Sequence, residues 1–214
     1  MPAETLIPLI AFILIYTAFL IWYGGKGKPL STTEVESLLA EMQKRAGKPQ
    51  GTGSETSLLN QFRALAKSDD GHEYYMVNLL KFRQKALYPP GSPYNEDPMA
   101  ANNRYNRAII PLLLKHGGHP VFDSLVLGRF IHPESADDWD HVAMVRYRSR
   151  RDMLKMAAEI AGKGADIHKW AALEKTQVFP VRPLFNLTFI RASAGIILMA
   201  IAVLIGLLLK ALGV

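Results

Sequence analysis

Tyr74–Phe82 (YYMVNLLKF) is the stretch that decides the fold prediction, because its aromatic and aliphatic residues are typical of a β-strand. The segment Leu87–Pro98 that follows holds four prolines and a glycine, which indicates a loop. Met99–His116 has the pattern of a helix, and it ends at Gly117-Gly118, where a glycine can adopt the left-handed conformation after a helix. The chain therefore begins its central domain with strand, loop and helix.

The rest of the central block supplies two more strands, a second helix and a last strand. Gly162 and Gly164 are expected to break the second helix. The predicted segments are strands at Val121–Phe130 and Asp140–Tyr147, a helix from the Ser149 cap to about Ile160 that resumes at Asp166–Glu174, and a strand at Thr176–Val181. The order βαββαβ predicts an α+β, ferredoxin-like domain over residues 71–183.

Both ends of the chain lack charge over long distances. No charged residue lies between Glu4 and Lys26, or between Arg191 and Lys210. A helix of about 20 apolar residues crosses the hydrocarbon core of a bilayer, so residues 5–25 and 184–210 are predicted to be transmembrane helices. Residues 26–70 are expected to form amphipathic helices joined by a linker, Gly47–Gly53 (GKPQGTG).

Charge and composition give expectations about location and partners. Lys26, Lys28, Arg182 and Arg191 flank the central block, which predicts a bacterial inner (plasma) membrane protein with a cytoplasmic central domain and both termini on the opposite side. The net charge of +6 suits anionic membrane lipids as partners. The sequence has no arginine-rich stripe, so nucleic acid is not expected as a partner. With no cysteine, disulfides and thiolate metal sites are excluded.

Short motifs spread over roughly residues 58–183 carry a resemblance to a known family. These are VNLLKFR at Val77–Arg83, Tyr105, Pro111, Gly117-Gly118, Trp139-Asp140, VRYRSR at Val145–Arg150, His168, and AAL at Ala171–Leu173. In their order and spacing the chain resembles the family "domain of unknown function 1330". The resemblance implies the dimeric α+β barrel superfamily, in which two ferredoxin-like units pack sheet against sheet. That superfamily includes monooxygenases, haem enzymes, isomerases and members without demonstrated activity, so the resemblance implies a fold more than a function.

Three residues are candidates for a catalytic or binding site. Asn78 is a polar residue within an apolar strand, and it could orient a ligand together with Tyr105. His168 lies near the position where some barrel relatives place a haem ligand, so it could act as an acid, a base or a ligand. Each of the three also has an ordinary structural interpretation. No cofactor is predicted, with haem at His168 kept as an alternative.

Two other sets of polar residues favour structural interpretations. His116 and His119 flank two glycines that suit a helix end, so no metal site is predicted there. An ion pair of Asp140 with Arg146 or Arg150 is expected to be structural or to lie at a dimer contact.

Two functions remain open. The first is a non-catalytic accessory or assembly subunit of an inner-membrane protein complex. The alternative is an enzyme or binding protein for an apolar small molecule or haem-like ligand held in the barrel. A homodimer is expected, with a hetero-complex as the other possibility. The partner would cover a sheet face that carries Tyr75, Val77, Leu79, Val142, Met144 and Arg146.

Overall fold

The computed structural model describes residues 3–24, 27–46, 54–94, 96–185 and 189–212 of the 214-residue chain. The chain divides into two compact units, residues 1–182 and residues 183–214. The second unit holds one described helix, Ile190–Leu212. The predicted linker at Gly47–Gly53 lies outside the described residues.

The first unit is built on a four-stranded antiparallel sheet. Its strands are β1 (Tyr74–Phe82), β2 (His119–Leu125), β3 (His141–Tyr147) and β4 (Leu173–Val181). They lie in the order β2-β3-β1-β4, and every neighbouring pair is antiparallel. The α+β class is therefore confirmed, and the strand order is consistent with a ferredoxin-like fold.

Six helices complete the described part of this unit. They are α1 (Ala3–Gly24), α2 (Thr32–Ala46), α3 (Ser54–Lys67), α4 (Pro98–Lys115), α5 (Arg150–Ala161) and α6 (Asp166–Ala172), and the helix of the second unit is α7. The break between α5 and α6 is as predicted, with Gly164 in the left-handed region at φ +61°. The second strand is shorter than predicted, because β2 ends at Leu125 and residues 126–140 form a loop instead.

The end of α4 is a Schellman motif, as the glycine pair predicts. Gly117 takes φ +74° and its N–H donates to Leu114 O over 3.0 Å, while Gly118 N–H donates to Leu113 O over 2.9 Å. A Cβ on Gly118 would lie 2.5 Å from Leu113 Cδ1 and 2.7 Å from Arg146 O. The second glycine is therefore required by close packing, and the motif sets where β2 begins.

Helices α4, α5 and α6 cover one face of the sheet. On that face Val145 and Tyr147 pack against a buried cluster of Leu112, Leu113 and Met156. Leu80 and Phe82 pack against Ala101, Ala171, Ala172 and Leu173. Helices α2 and α3 lie further out and bury Leu39 and Ala66 with Leu154 of α5. The core thus lies between the helices and one side of the sheet.

The opposite face of the sheet carries the predicted apolar set. The β1–β3 register places Tyr75 opposite Arg146, Val77 opposite Met144 and Leu79 opposite Val142. Because side chains alternate along a strand, all six point away from the face that meets the helices. The prediction that these residues share one face is confirmed, and we call it the outward face.

The prediction of two transmembrane helices is wrong. In the part of the chain that the structure describes, none of the helices is long and apolar enough to cross a membrane. The predicted location in the inner membrane, with a cytoplasmic central domain and both termini on the opposite side, is wrong for the same reason.

Candidate functional site

His168 lies on α6 among aromatic rings. Its Nδ1 is 2.9 Å from Tyr88 Oη, and the ring of Tyr94 meets it edge-on at a centroid distance of 4.7 Å. The guanidinium of Arg104 on α4 lies 5.0 Å from the centre of the Tyr94 ring. Burial, and then the positive charge of Arg104, lower the pKa of His168 below its ordinary value. The imidazole is therefore neutral at neutral pH and suited to hydrogen bonding or to proton transfer.

Lys169 and Tyr105 form the neighbouring part of the same helix pair. The Lys169 ammonium lies 5.9 Å from the centre of the Tyr105 ring and 5.2 Å from that of Trp170. Burial raises the pKa of Tyr105 to about 12 and lowers the pKa of Lys169. Both side chains still keep part of their surface accessible. Within the described residues, no carboxylate lies within ion-pair distance of Lys169. We call the set Tyr88, Tyr94, Tyr105, His168, Lys169 and Trp170 the α4–α6 site.

Asn78 lies on the sheet face that α4 and α6 cover. Its Nδ2 donates to Met76 O over 3.1 Å and to Ala143 O over 3.4 Å, so its amide is held by strand carbonyls. On the same face, the buried Oγ1 of Thr176 has no hydrogen-bond partner among the described residues. The structure thus brings His168 and Tyr105 onto one helix pair, while no hydrogen bond in the described chain joins Asn78 to either of them.

The acidic and basic residues around β3 pair differently from the sequence expectation. Asp140 accepts from Lys81 Nζ and from the backbone N–H of Phe82, each over 2.8 Å, and not from an arginine. Arg150 instead lies 3.5 Å from Asp69 and 3.4 Å from Asp70. The prediction of the pair was wrong because Asp140 lies just before β3, beside the end of β1, while Arg146 lies near the other end of β3 and Arg150 begins α5.

Arg146 is fully buried, and it ties α1 to the sheet. Its Nε donates to Glu73 Oε2 over 2.8 Å, its Nη1 to Gly117 O over 2.9 Å, and its Nη2 to Tyr23 O over 2.8 Å. The guanidinium also stacks 3.5 Å from the centre of the Tyr23 ring. Arg148 Nη1 donates to Trp22 O over 3.0 Å. Two arginines therefore satisfy the last carbonyls of α1, where the helix dipole is negative.

The two histidines near Gly117 and Gly118 have separate partners. His116 Nε2 is 3.0 Å from Glu159 Oε1, and His119 Nε2 is 2.8 Å from Tyr23 Oη. His119 thus belongs to the contact between α1 and the sheet. Sequence analysis missed this contact because Tyr23 and Arg146 are 123 residues apart.

The β2–β3 loop, residues 126–140, exposes large apolar side chains. Leu127, Phe130 and Ile131 are 99%, 96% and 87% exposed. Arg129 and Asp138 brace the loop with a two-point ion pair, in which Nε donates to Oδ1 over 2.6 Å. Helix α1 likewise exposes Phe12, Ile15 and Ile21. Large apolar side chains that are exposed within one short loop make that loop a candidate interaction site.

Comparison with known proteins adds support for the fold. No family model matches the chain, and no curated protein matches it. The crystal structure of RPA0582, a protein of unknown function from Rhodopseudomonas palustris, is 26% identical with a TM-score of 0.52, and the match covers 65% of this chain and 97% of that one. The crystal structure of methylated RPA0582 is 27% identical with a TM-score of 0.53, covering 66% and 98%. Neither structure carries an activity over to this chain.

Proposed function

We propose that this chain is a non-catalytic accessory or assembly subunit of a protein complex, with the β2–β3 loop as its principal contact surface. The proposal is based on the solvent exposure of Leu127, Phe130 and Ile131. Covering one large apolar side chain contributes roughly 1.5–3 kcal/mol, so three together offer a partner a substantial gain.

The loop is also held in place before any partner arrives. Besides the pair of Arg129 with Asp138, Asp137 pairs with Lys175 of β4, and Val126 N–H donates to Asp140 O over 2.8 Å. The Lys175 ammonium lies 5.3 Å from the centre of the Trp139 ring. A braced loop loses little conformational freedom when it binds, which favours association.

The experiment is purification under gentle conditions, followed by native mass spectrometry. We expect the wild-type chain to carry a stoichiometric partner, and the double variant Phe130→Ser with Ile131→Ser to lose it. Leu87→Ser is the matched control, since Leu87 is also an exposed loop residue, at 67%. Recovery of the wild type only as a monomer or as its own dimer contradicts the proposal, and so does equal loss of the partner in both variants.

We also infer that the domain belongs with the family "domain of unknown function 1330" and the dimeric α+β barrels, with a second copy on the outward face. The shared apolar positions of β1 and β3 support this arrangement. The cysteine-free chain allows a direct test through Tyr75→Cys or Val142→Cys. Efficient disulfide or bifunctional cross-linking to a same-chain dimer is expected. Its absence would favour a different protein on this face.

A second candidate function is a binding protein or enzyme for a small molecule with a largely apolar body. The α4–α6 site supports it, because aromatic rings and a few polar groups gather beside a partly accessible lysine. Binding sites for small molecules commonly combine apolar walls with a few such polar groups. In this function Tyr105 and Asn78 orient the ligand, and His168 acts as acid, base or ligand. Haem at His168 is one form of this candidate.

The test is binding of an aromatic probe, 2-naphthalenemethanol, measured by titration calorimetry. Tyr105→Ala should weaken that binding at least about fivefold, because the ring forms one wall of the site. Leu114→Ala is the control, since Leu114 is an exposed apolar residue on the same helix. No binding, or equal binding by both variants and the wild type, excludes this candidate function.

A further inference from the structure

The surroundings of Lys169 define what kind of ligand the α4–α6 site would accept. Its ammonium lies 5.9 Å from the centre of the Tyr105 ring and 5.2 Å from that of the Trp170 ring, and such rings attract a cation but do not neutralise it. Buried charges in proteins are ordinarily paired with an opposite charge. The described residues supply Lys169 with no such partner.

The nearby charged groups in the described part of the chain do not pair with Lys169. Asp166, one turn earlier on α6, is exposed, and its charge acts on Tyr105 and His168. Arg104 adds a second positive charge, which acts on His168 from α4. A negative group placed beside the Lys169 ammonium would be attracted by its charge.

The aromatic rings near His168 and Lys169 indicate the shape and polarity of the rest of the ligand. Tyr88 and Tyr94 pack around His168, with ring centroids 5.7 Å and 4.7 Å from it, while Tyr105 and Trp170 flank Lys169. Two of these rings thus contact His168, and the other two lie near the next residue, Lys169. Flat apolar groups pack well against such rings.

We propose that the α4–α6 site binds an organic anion with a flat apolar body, whose anionic group pairs with the Lys169 ammonium. The proposal rests on the small-molecule candidate function and names its ligand class. It assigns to Lys169 the charge recognition and to the neighbouring rings the packing against the ligand body.

The experiment compares two probes that share a ring system, 2-naphthoate and 2-naphthalenemethanol, by titration calorimetry on the full chain. We expect the wild type to prefer naphthoate. Lys169→Met should weaken naphthoate binding about 10- to 100-fold, the range of one charge-assisted hydrogen bond, and should weaken binding of the neutral probe far less. Lys169→Arg should retain most of the preference. Lys163→Met, at an exposed lysine before α6, should behave as wild type.

The outcomes distinguish failure of the candidate function from failure of the anion proposal. Binding of neither probe removes the candidate function, and this proposal with it. Equal binding of both probes, or naphthoate binding that Lys169→Met leaves unchanged, overturns the anion proposal and keeps the candidate function.

A second measurement covers the case in which Lys169→Met does not fold. In the wild type, naphthoate should slow modification of Lys169 by an amine-reactive reagent at least about fivefold, measured by peptide mass spectrometry, with Lys163 as the internal reference. Naphthoate that binds without protecting Lys169 overturns the proposal.

Discussion

Arg146→Met tests whether the buried guanidinium holds α1 on the sheet. Methionine keeps much of the side-chain stem but removes every hydrogen bond of the guanidinium. The buried carbonyl of Gly117 then loses its donor, which costs roughly 1–3 kcal/mol, and the part-buried carbonyl of Tyr23 loses the Arg146 donor as well. Glu73 is half-exposed and can be rehydrated, so its share of the loss is small.

The expected fall in the free energy of unfolding is therefore about 2–5 kcal/mol, comparable to the cost of breaking a buried ion pair. For a chain of this length, about 3 kcal/mol corresponds to a fall of about 6–12 °C in Tm. Urea denaturation followed by far-UV circular dichroism gives the free energy. The fluorescence of Trp22, whose carbonyl accepts from the neighbouring Arg148, reports whether the end of α1 is released first.

The matched control is Arg129→Met, which removes an arginine from the exposed ion pair with Asp138. Exposed pairs contribute about 0–1 kcal/mol, so the control should remain close to the wild type. If Arg146→Met is no less stable than Arg129→Met, then Arg146 does not hold α1 in place, and the reasoning from its burial is refuted.

Three further predictions follow from single residues. Gly118→Ala should lower the free energy of unfolding by about 1–3 kcal/mol, as overpacked sites do, because its Cβ would meet Leu113 and the Arg146 carbonyl; an unchanged urea midpoint contradicts this. Spectrophotometric titration should show one tyrosine ionising near pH 12, and Tyr105→Phe should remove that step; if the step persists, the assignment to Tyr105 fails. The pKa of His168, measured by NMR, should lie below the ordinary value and rise towards it in Arg104→Gln. Since folding lowers this pKa, the unfolded chain binds more protons, so stability should fall as pH drops below about 6.5, and His168→Gln should lose that part of the pH dependence.

The sequence predicts the sheet well because its signals are local. The apolar run at Tyr74–Phe82 and the glycine pair after α4 each act within a few residues, and both have the structure they predict. The loop after β2 shows where local signals mislead. The predicted strand Val121–Phe130 included the apolar residues Leu127 and Phe130, but both are exposed in a loop that Arg129 and Asp138 brace.

The candidate site could be predicted only in part, for a related reason. Asn78, Tyr105 and His168 were identifiable as polar or aromatic residues within apolar elements, but the importance of Lys169 depends on what surrounds it. A lysine in a sequence is normally solvated, and only the packing of α4 against α6 shows that this one lies near two rings without a carboxylate partner among the described residues.

Contacts between distant segments could not be predicted from the sequence either, and Arg146 is an example. Its contact with α1 also affects the assembly proposal. The carbonyls of Tyr23 and Trp22 meet Arg146 and Arg148 at one end of the outward face, where Tyr75 also lies. A second copy placed on that face must therefore share it with the end of α1, whereas the β2–β3 loop lies at the opposite end of β3 and is unobstructed by that contact. The fixed position of α1 thus favours partner binding that begins at the loop, and substitutions at Phe130 and Ile131 should affect assembly more than substitutions at Tyr75.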